Sequence, residues 1–193
     1  MRKRLMMALA GLLVLAMVGV YAYAATTLTT TAVFAVSGTH VNDLDLGNDP
    51  SYSYKGGLTV SLTDGTGASQ ADMVFADQRT LAASTAEDLD VSGGALVDAF
   101  GATFTIAELK VLMVCAAAAN TNDVVVGGDA NSVPFLDTAA ATLSVRPGGC
   151  FQLADPSAAG IAVTAGTGDI IQIENSAAGT SVTYDIIIVG SSS

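Results

Sequence analysis

From residue 26 onward the chain is cut at short intervals by "TDGTGASQ", "GGDANS", "RPGG", "AGTGD" and "NSAAGTS". Gly supplies the positive-φ backbone of tight turns, and Asn, Asp and Ser side chains bond back to their own backbone there. Between these clusters long 3.6-residue periodicity is nearly absent, so little of the chain can bury one face of a helix. What lies between them is rich in Val, Ile, Thr and Leu, residues that suit a pleated, half-buried surface. Strands are predicted over Leu28–Val36, Leu58–Leu62, Ala71–Phe75, Thr103–Ile106, Leu109–Cys115, Val124–Val126, Thr142–Val145, Cys150–Leu153, Ile161–Thr164, Asp169–Ile173 and Ser181–Val189. Short strands with regular turns predict an all-β fold, an antiparallel β-sandwich of jelly-roll-like form.

Two runs carry more than a strand. "VLMV" and "DIIIVG" alternate too little for a sheet wet on one face. They are expected to be central strands covered on both sides, a partner subunit being one source of the second cover. Residues 38–54, "GTHVNDLDLGNDPSYSY", read as a polar loop, and the segment from Asp88 to Leu109 leaves room for a helical turn around Ala95–Phe100.

The N-terminus is of another kind. Arg2, Lys3 and Arg4 precede an apolar stretch from Leu5 to about Val20, and Ala22 and Ala24 then form an A-x-A pattern. That order predicts a hydrophobic signal helix cut after Ala24 or Ala25, or else an uncleaved anchor. In both cases the remainder is exported, and the membrane is met only through this segment. The expected organisation is residues 1–25 as signal or anchor, 26–57 as an N-terminal strand and polar loop, and 58–193 as the β domain.

Charge narrows the partners. The 193 residues carry a formal charge of −11. Without the three leading basic residues, four bases face 18 acids, or 4 − 18 = −14. Such a surface repels phosphate backbones, so no nucleic-acid partner is expected. Self-repulsion of this size favours solubility in a salty medium.

Candidate chemistry is sparse. His40 is the single histidine and stands near Asp43 and Asp45 without an evident nucleophile, so no catalytic residue is assigned and the protein is read as a non-enzyme. No phosphate-binding loop or zinc-ligand set is found. The oxygens of Asp43, Asp45, Asn48 and Asp49 in "NDLDLGND" offer a weak Ca²⁺ candidate; otherwise no cofactor is expected. Cys115 and Cys150 would meet an oxidising medium after export, which makes a disulfide possible. Strand parity sets Cys115 with Val111 and Met113, facing inward, and Cys150 with Gln152, facing outward. Two unpaired small hydrophobes are therefore the default expectation.

From Leu58 to Gly190 the stretches "ADMVFADQRTLAASTAEDLDVSG", "DAFGATFTIAELKVLMV", "AANTNDVVVGG", "VRPGG" and "AVTAGTGDIIQIENSAAGTSVTYDIIIVG" resemble a family of small phage and prophage virion-type proteins. The resemblance covers roughly two-thirds of the chain. It implies a non-enzymatic β domain associated with particles, as a decoration, tail or spike component, with no catalytic residues to carry over. This chain departs from that pattern at its front, where a secretion signal stands.

Two functions are therefore expected. The first is a structural, self-assembling subunit of an extracellular filament or virion-type particle. In it the strand carrying Thr27, Leu28, Val33, Phe34 and Val36 either pairs within its own domain or is donated to the next subunit. The second is an exported module that recognises glycans or cell surfaces, with Tyr52 and Tyr54 as the contact pair.

Overall fold

A computed structural model describes residues 26–43, 47 and 49–193. The signal or anchor segment, its cut near Ala24 or Ala25, and two of the four calcium candidates, Asp45 and Asn48, lie outside the described residues. The described chain is all-β, with no helix among the described residues. Its strands are β1 (Thr30–Val41), β2 (Ser51–Leu62), β3 (Met73–Leu81), β4 (Ala86–Asp90), β5 (Glu108–Ala116), β6 (Val124–Gly127), β7 (Thr142–Val145), β8 (Cys150–Ala154), β9 (Ile161–Ala162), β10 (Ile170–Asn175) and β11 (Val182–Ser191).

Strands β1 and β2 form a two-stranded hairpin of their own. The others make a four-stranded sheet, β4-β10-β6-β7, and a five-stranded sheet, β3-β11-β5-β8, with β9 also pairing β5. Every strand pairing is antiparallel. The pairs β3/β11, β4/β10, β5/β8 and β6/β7 nest, so the chain runs out through β3–β6 and returns through β7, β8, β10 and β11. Side chains of both sheets meet in one core. Ile186, Ile188, Leu112 and Val114 come from one sheet, and Leu89, Ile171, Ile173 and Val126 from the other.

A second cluster lies on the other face of the five-stranded sheet. Val111 on β5 and Val189 on β11 pack with Ala32, Val60 and Leu62 at the base of the hairpin. The two apolar runs are thus central strands covered on both sides, and the outer cover comes from the chain's own hairpin.

Several boundaries differ from expectation. Residues 38–54 are not a polar loop throughout: β1 continues to Val41, and β2 begins at Ser51. The Thr, Val and Tyr content of these ends supports a ladder that runs in register from Thr30↔Leu62 to Val41↔Ser51. β2 accordingly runs unbroken across residue 57. Strand β4 was not predicted, since three acids in "AEDLD" oppose strand propensity; pairing with β10 forms it and turns Leu89 into the core. Thr103–Ile106 makes only a single bridge, Thr103 to Val97. Phe104 and Ile106 still fill the core, with Phe104 N donating to Leu96 O and Ile106 N to Val91 O. The expected helical turn is instead a tight loop, in which the Asp98 carboxylate accepts from the Phe100 and Ala102 amides.

Candidate functional site: the β1–β2 arm

Each hairpin strand has twelve residues, about 40 Å at the usual rise. Alternation sorts the side chains into two faces. One carries Ala32, Phe34, Val36 and His40, with Leu62, Val60, Leu58, Tyr54 and Tyr52 opposite them. The other carries Thr31, Thr39, Ser53, Lys55, Thr59 and Ser61, with Val33, Ala35 and Val41. The apolar face is covered only at its base. Beyond Phe34 it continues uncovered, with Val36 at 67% exposure, Leu58 at 63% and Tyr52 at 69%.

Two glycines shape this face. The ring of Tyr54 lies across Gly38, where a Cβ would overlap the phenol. Gly56, opposite Val36, has no atom within 4 Å of the Cβ position. It leaves an open notch between Tyr54 and Leu58. Glycine inside a strand weakens it, and often marks a place where another backbone or ligand approaches.

The predicted assembly residues separate. Leu28 and Phe34 pack on the chain's own sheet, and the Leu28 amide donates to Asp64 Oδ1 at 3.1 Å. Thr27, Val33 and Val36 are exposed. Tyr52 and Tyr54 share the uncovered apolar face with His40, which sits opposite Tyr52 within the ladder. Asp43 and Asp49 lie in the segment joining the two strands. Among the described residues no three potential metal-ligating side chains cluster.

Cys115 and Cys150 form a disulfide, which overturns the default expectation of two unpaired thiols. They are directly opposed in the β5–β8 register, with Cα atoms 4.1 Å apart. Parity misled because β5 is buried on both faces. Val111 and Met113 belong to the outer face, and Cys115 lies there with Cys150 and Gln152.

A charged cluster closes one open end between the sheets. Arg79 on β3 donates through Nε to Glu87 on β4 at 2.8 Å and pairs with it through Nη2 at 2.7 Å. Its Nη1 binds Asp77 at 2.9 Å, and buried Tyr184 donates to the other Glu87 oxygen at 2.5 Å. Burial and the bond to Glu87 push the Tyr184 phenol up. The Glu87 hydrogen bond, opposed by burial, holds the Arg79 guanidinium above its ordinary value. Asp77 and Arg79 stand opposite Ile186 and Tyr184, so edge strand β3 turns two charges toward the core side. The sequence resemblance had not singled out this cluster; an Arg and an acid at alternating positions in "FADQRTL" were its only signal.

Compared with known proteins, the chain matches no protein family, no curated protein and no solved structure.

Proposed function

We propose that the protein is a non-enzymatic structural subunit of an exported, extracellular assembly, and that the β1–β2 arm is its joint. One contrast carries this reading. The outer strands of the two large sheets are short, β4, β7, β8 and β9 having two to five residues each, or blunted by inward charge, as in β3. Natural sheets use these devices to prevent edge-to-edge association. The arm has neither device. It offers two twelve-residue edges, no Asp, Glu or Pro in either strand, and an apolar face that runs past its own support. A lone two-stranded ribbon is at best marginally stable in water, so a third element is needed to cover it.

The nested pairing β3/β11, β4/β10, β5/β8 and β6/β7 supports reading the body as a jelly-roll sandwich, an architecture used by particle-forming proteins among many others. It fits the resemblance to virion-type proteins. The groups best suited to acid–base work, Glu87, Arg79 and Tyr184, bind one another, which favours a clamp over a reaction centre.

The test is electron microscopy of the full chain, expressed with its own N-terminal segment and collected as the cell releases it. It is compared with a variant in which residues 35–57 are replaced by an Asn-Gly turn. That variant keeps Leu28, Ala32, Phe34, Val60 and Leu62 over the sheet. Filaments or particles are expected from the parent and dispersed molecules from the variant. Assembly that survives the truncation would refute the arm as joint.

The exposed Tyr52 on the same face as Tyr54 favours one second reading, a surface-recognition module. In that case Tyr52→Ala abolishes glycan-array binding by a monomeric protein.

A further inference from the structure

We infer that His40 makes the joint pH-sensitive: the arm is covered by another copy while the imidazole is neutral, and taking up a proton releases it. This rests on the reading of the arm as joint and adds its regulation. The chain has one histidine. Imidazole is the side chain whose ordinary pKa puts its change of charge between pH 5 and 8. The fold sets this one on the half of β1 that runs beyond the arm's support. His40 is exposed, stands opposite Tyr52 in the ladder, and shares a face with Val36, Tyr54 and Leu58. The cluster that holds the arm to the body reaches out to Phe34, and His40 lies farther along the strand.

Few charges face it. β1 and β2 hold no Asp or Glu, and their single base, Lys55, pairs with Ser37 on the opposite face. The titratable groups on its own face are the phenols of Tyr52 and Tyr54. The nearest acids in the chain are Asp43 and Asp49 of the joining segment, both exposed and both beyond the last ladder pair, Val41↔Ser51. Asp45 lies between them, outside the described residues. An exposed carboxylate gives an imidazolium little. The chain's own acidic body begins at the arm's base, and His40 is about 26 Å along the strand from Ala32, at the usual rise. Screening confines exposed charges to about 8 Å at physiological salt. Covering this face takes the imidazole out of water. The neutral ring enters an apolar contact at small cost, whereas the cation gives up its hydration and finds no opposite charge on the strands.

The pH window isolates one group. An imidazole of ordinary pKa, near 6.5, is about nine-tenths neutral at pH 7.5 and about one-tenth neutral at pH 5.5. A contact that needs the neutral form weakens in the same ratio, about tenfold for each imidazole it covers. Carboxylates ordinarily lose their protons near pH 4, and Glu108 and Asp155 do so lower still. Residues 63–193, with three bases against 15 acids, therefore stay near 3 − 15 = −12 throughout, and bodies repel equally at both values. Sedimentation velocity of the released full chain reads the concentration at which half the protein is assembled, at pH 7.5 and pH 5.5 and one ionic strength. That midpoint is expected to rise at least about tenfold at pH 5.5. His40→Gln is neutral at both values, and its two midpoints are expected to coincide, whatever its level at pH 7.5. His40→Lys, charged at both, is expected to assemble at pH 7.5 no better than the parent does at pH 5.5. The side chain is exposed, so the melting temperatures of the three monomers should agree.

A parent with the same midpoint at both pH values would overturn the inference and leave the arm as joint standing. So would His40→Gln shifting as much as the parent, since another group would then be titrating. A joint that tightens in acid would mean that His40 meets a carboxylate of the neighbouring copy, and would overturn the inference as well. A parent that is monomeric throughout would overturn the inference and the assembly reading together.

Discussion

Lys110 is 1% exposed, and its ammonium is held by three oxygens: Ser157 O at 2.7 Å, Ala158 O at 3.0 Å and Glu108 Oε2 at 2.6 Å. A buried charge is tolerable only when paired and hydrogen-bonded in this way. Removing it leaves Glu108 with Ser191 as its one donor and takes a donor from Ser157 O and Ala158 O, so Lys110→Ala should cost about 3 kcal/mol in urea unfolding. Burial pushes the Glu108 carboxyl up, but hydrogen bonds from Lys110 and Ser191 outweigh it and hold it below its ordinary value. Hydrogen bonds from the Ser157 hydroxyl and amide lower Asp155 as well. A depressed carboxylate contributes stability that is present above its unfolded pKa and lost as pH falls through its folded one. The urea midpoint should therefore be level from neutral pH to about pH 5 and fall below about pH 4, and Glu108→Gln should flatten that fall. Across the body, Tyr184→Phe leaves Glu87 one donor short and should cost about 1–2 kcal/mol.

Among the elements, the disulfide ties edge strand β8 to central strand β5 across a separation of 35 residues. A loop of that length predicts a loss of about 3–4 kcal/mol in the chain-entropy view when the bond is reduced or both cysteines become Ala, read as a lower melting temperature. The hairpin divides into halves with different roles. Leu62→Ala at the buried base should cost about 2–5 kcal/mol, while Leu58→Ala on the uncovered half should change stability by less than about 0.5 kcal/mol. Urea unfolding of the two variants checks this directly. At this scale the sequence was legible where alternation or turn chemistry was strong, as in the cores of β5, β10 and β11. It was not legible where pairing alone makes the strand: acidic β4 takes its form from β10, and residues 38–41 and 51–54 take theirs from each other. Side-chain parity failed at Cys115 because a strand covered on both faces has no outside.

In the whole molecule, a strongly acidic body that blunts its edges carries an arm whose two strands hold one Lys and no acid and whose edges are not blunted. The arm's uncovered apolar face was not legible in the sequence. Val36 and Leu58 lie 22 positions apart, and only the ladder register sets them on one face beyond the arm's support. Because the bodies repel, assembly should be promoted by moderate salt, which screens exposed charges beyond about 8 Å at physiological strength. Light scattering from 10 mM to 300 mM NaCl should rise, and a fall would indicate a joint dominated by opposite charges. The role proposed for the arm is to join copies of this chain. Its most direct test is the sedimentation profile of the released full chain beside the variant with residues 35–57 replaced by Asn-Gly. Large species are expected for the parent and a folded monomer for the variant; two identical profiles would rule out the arm as joint.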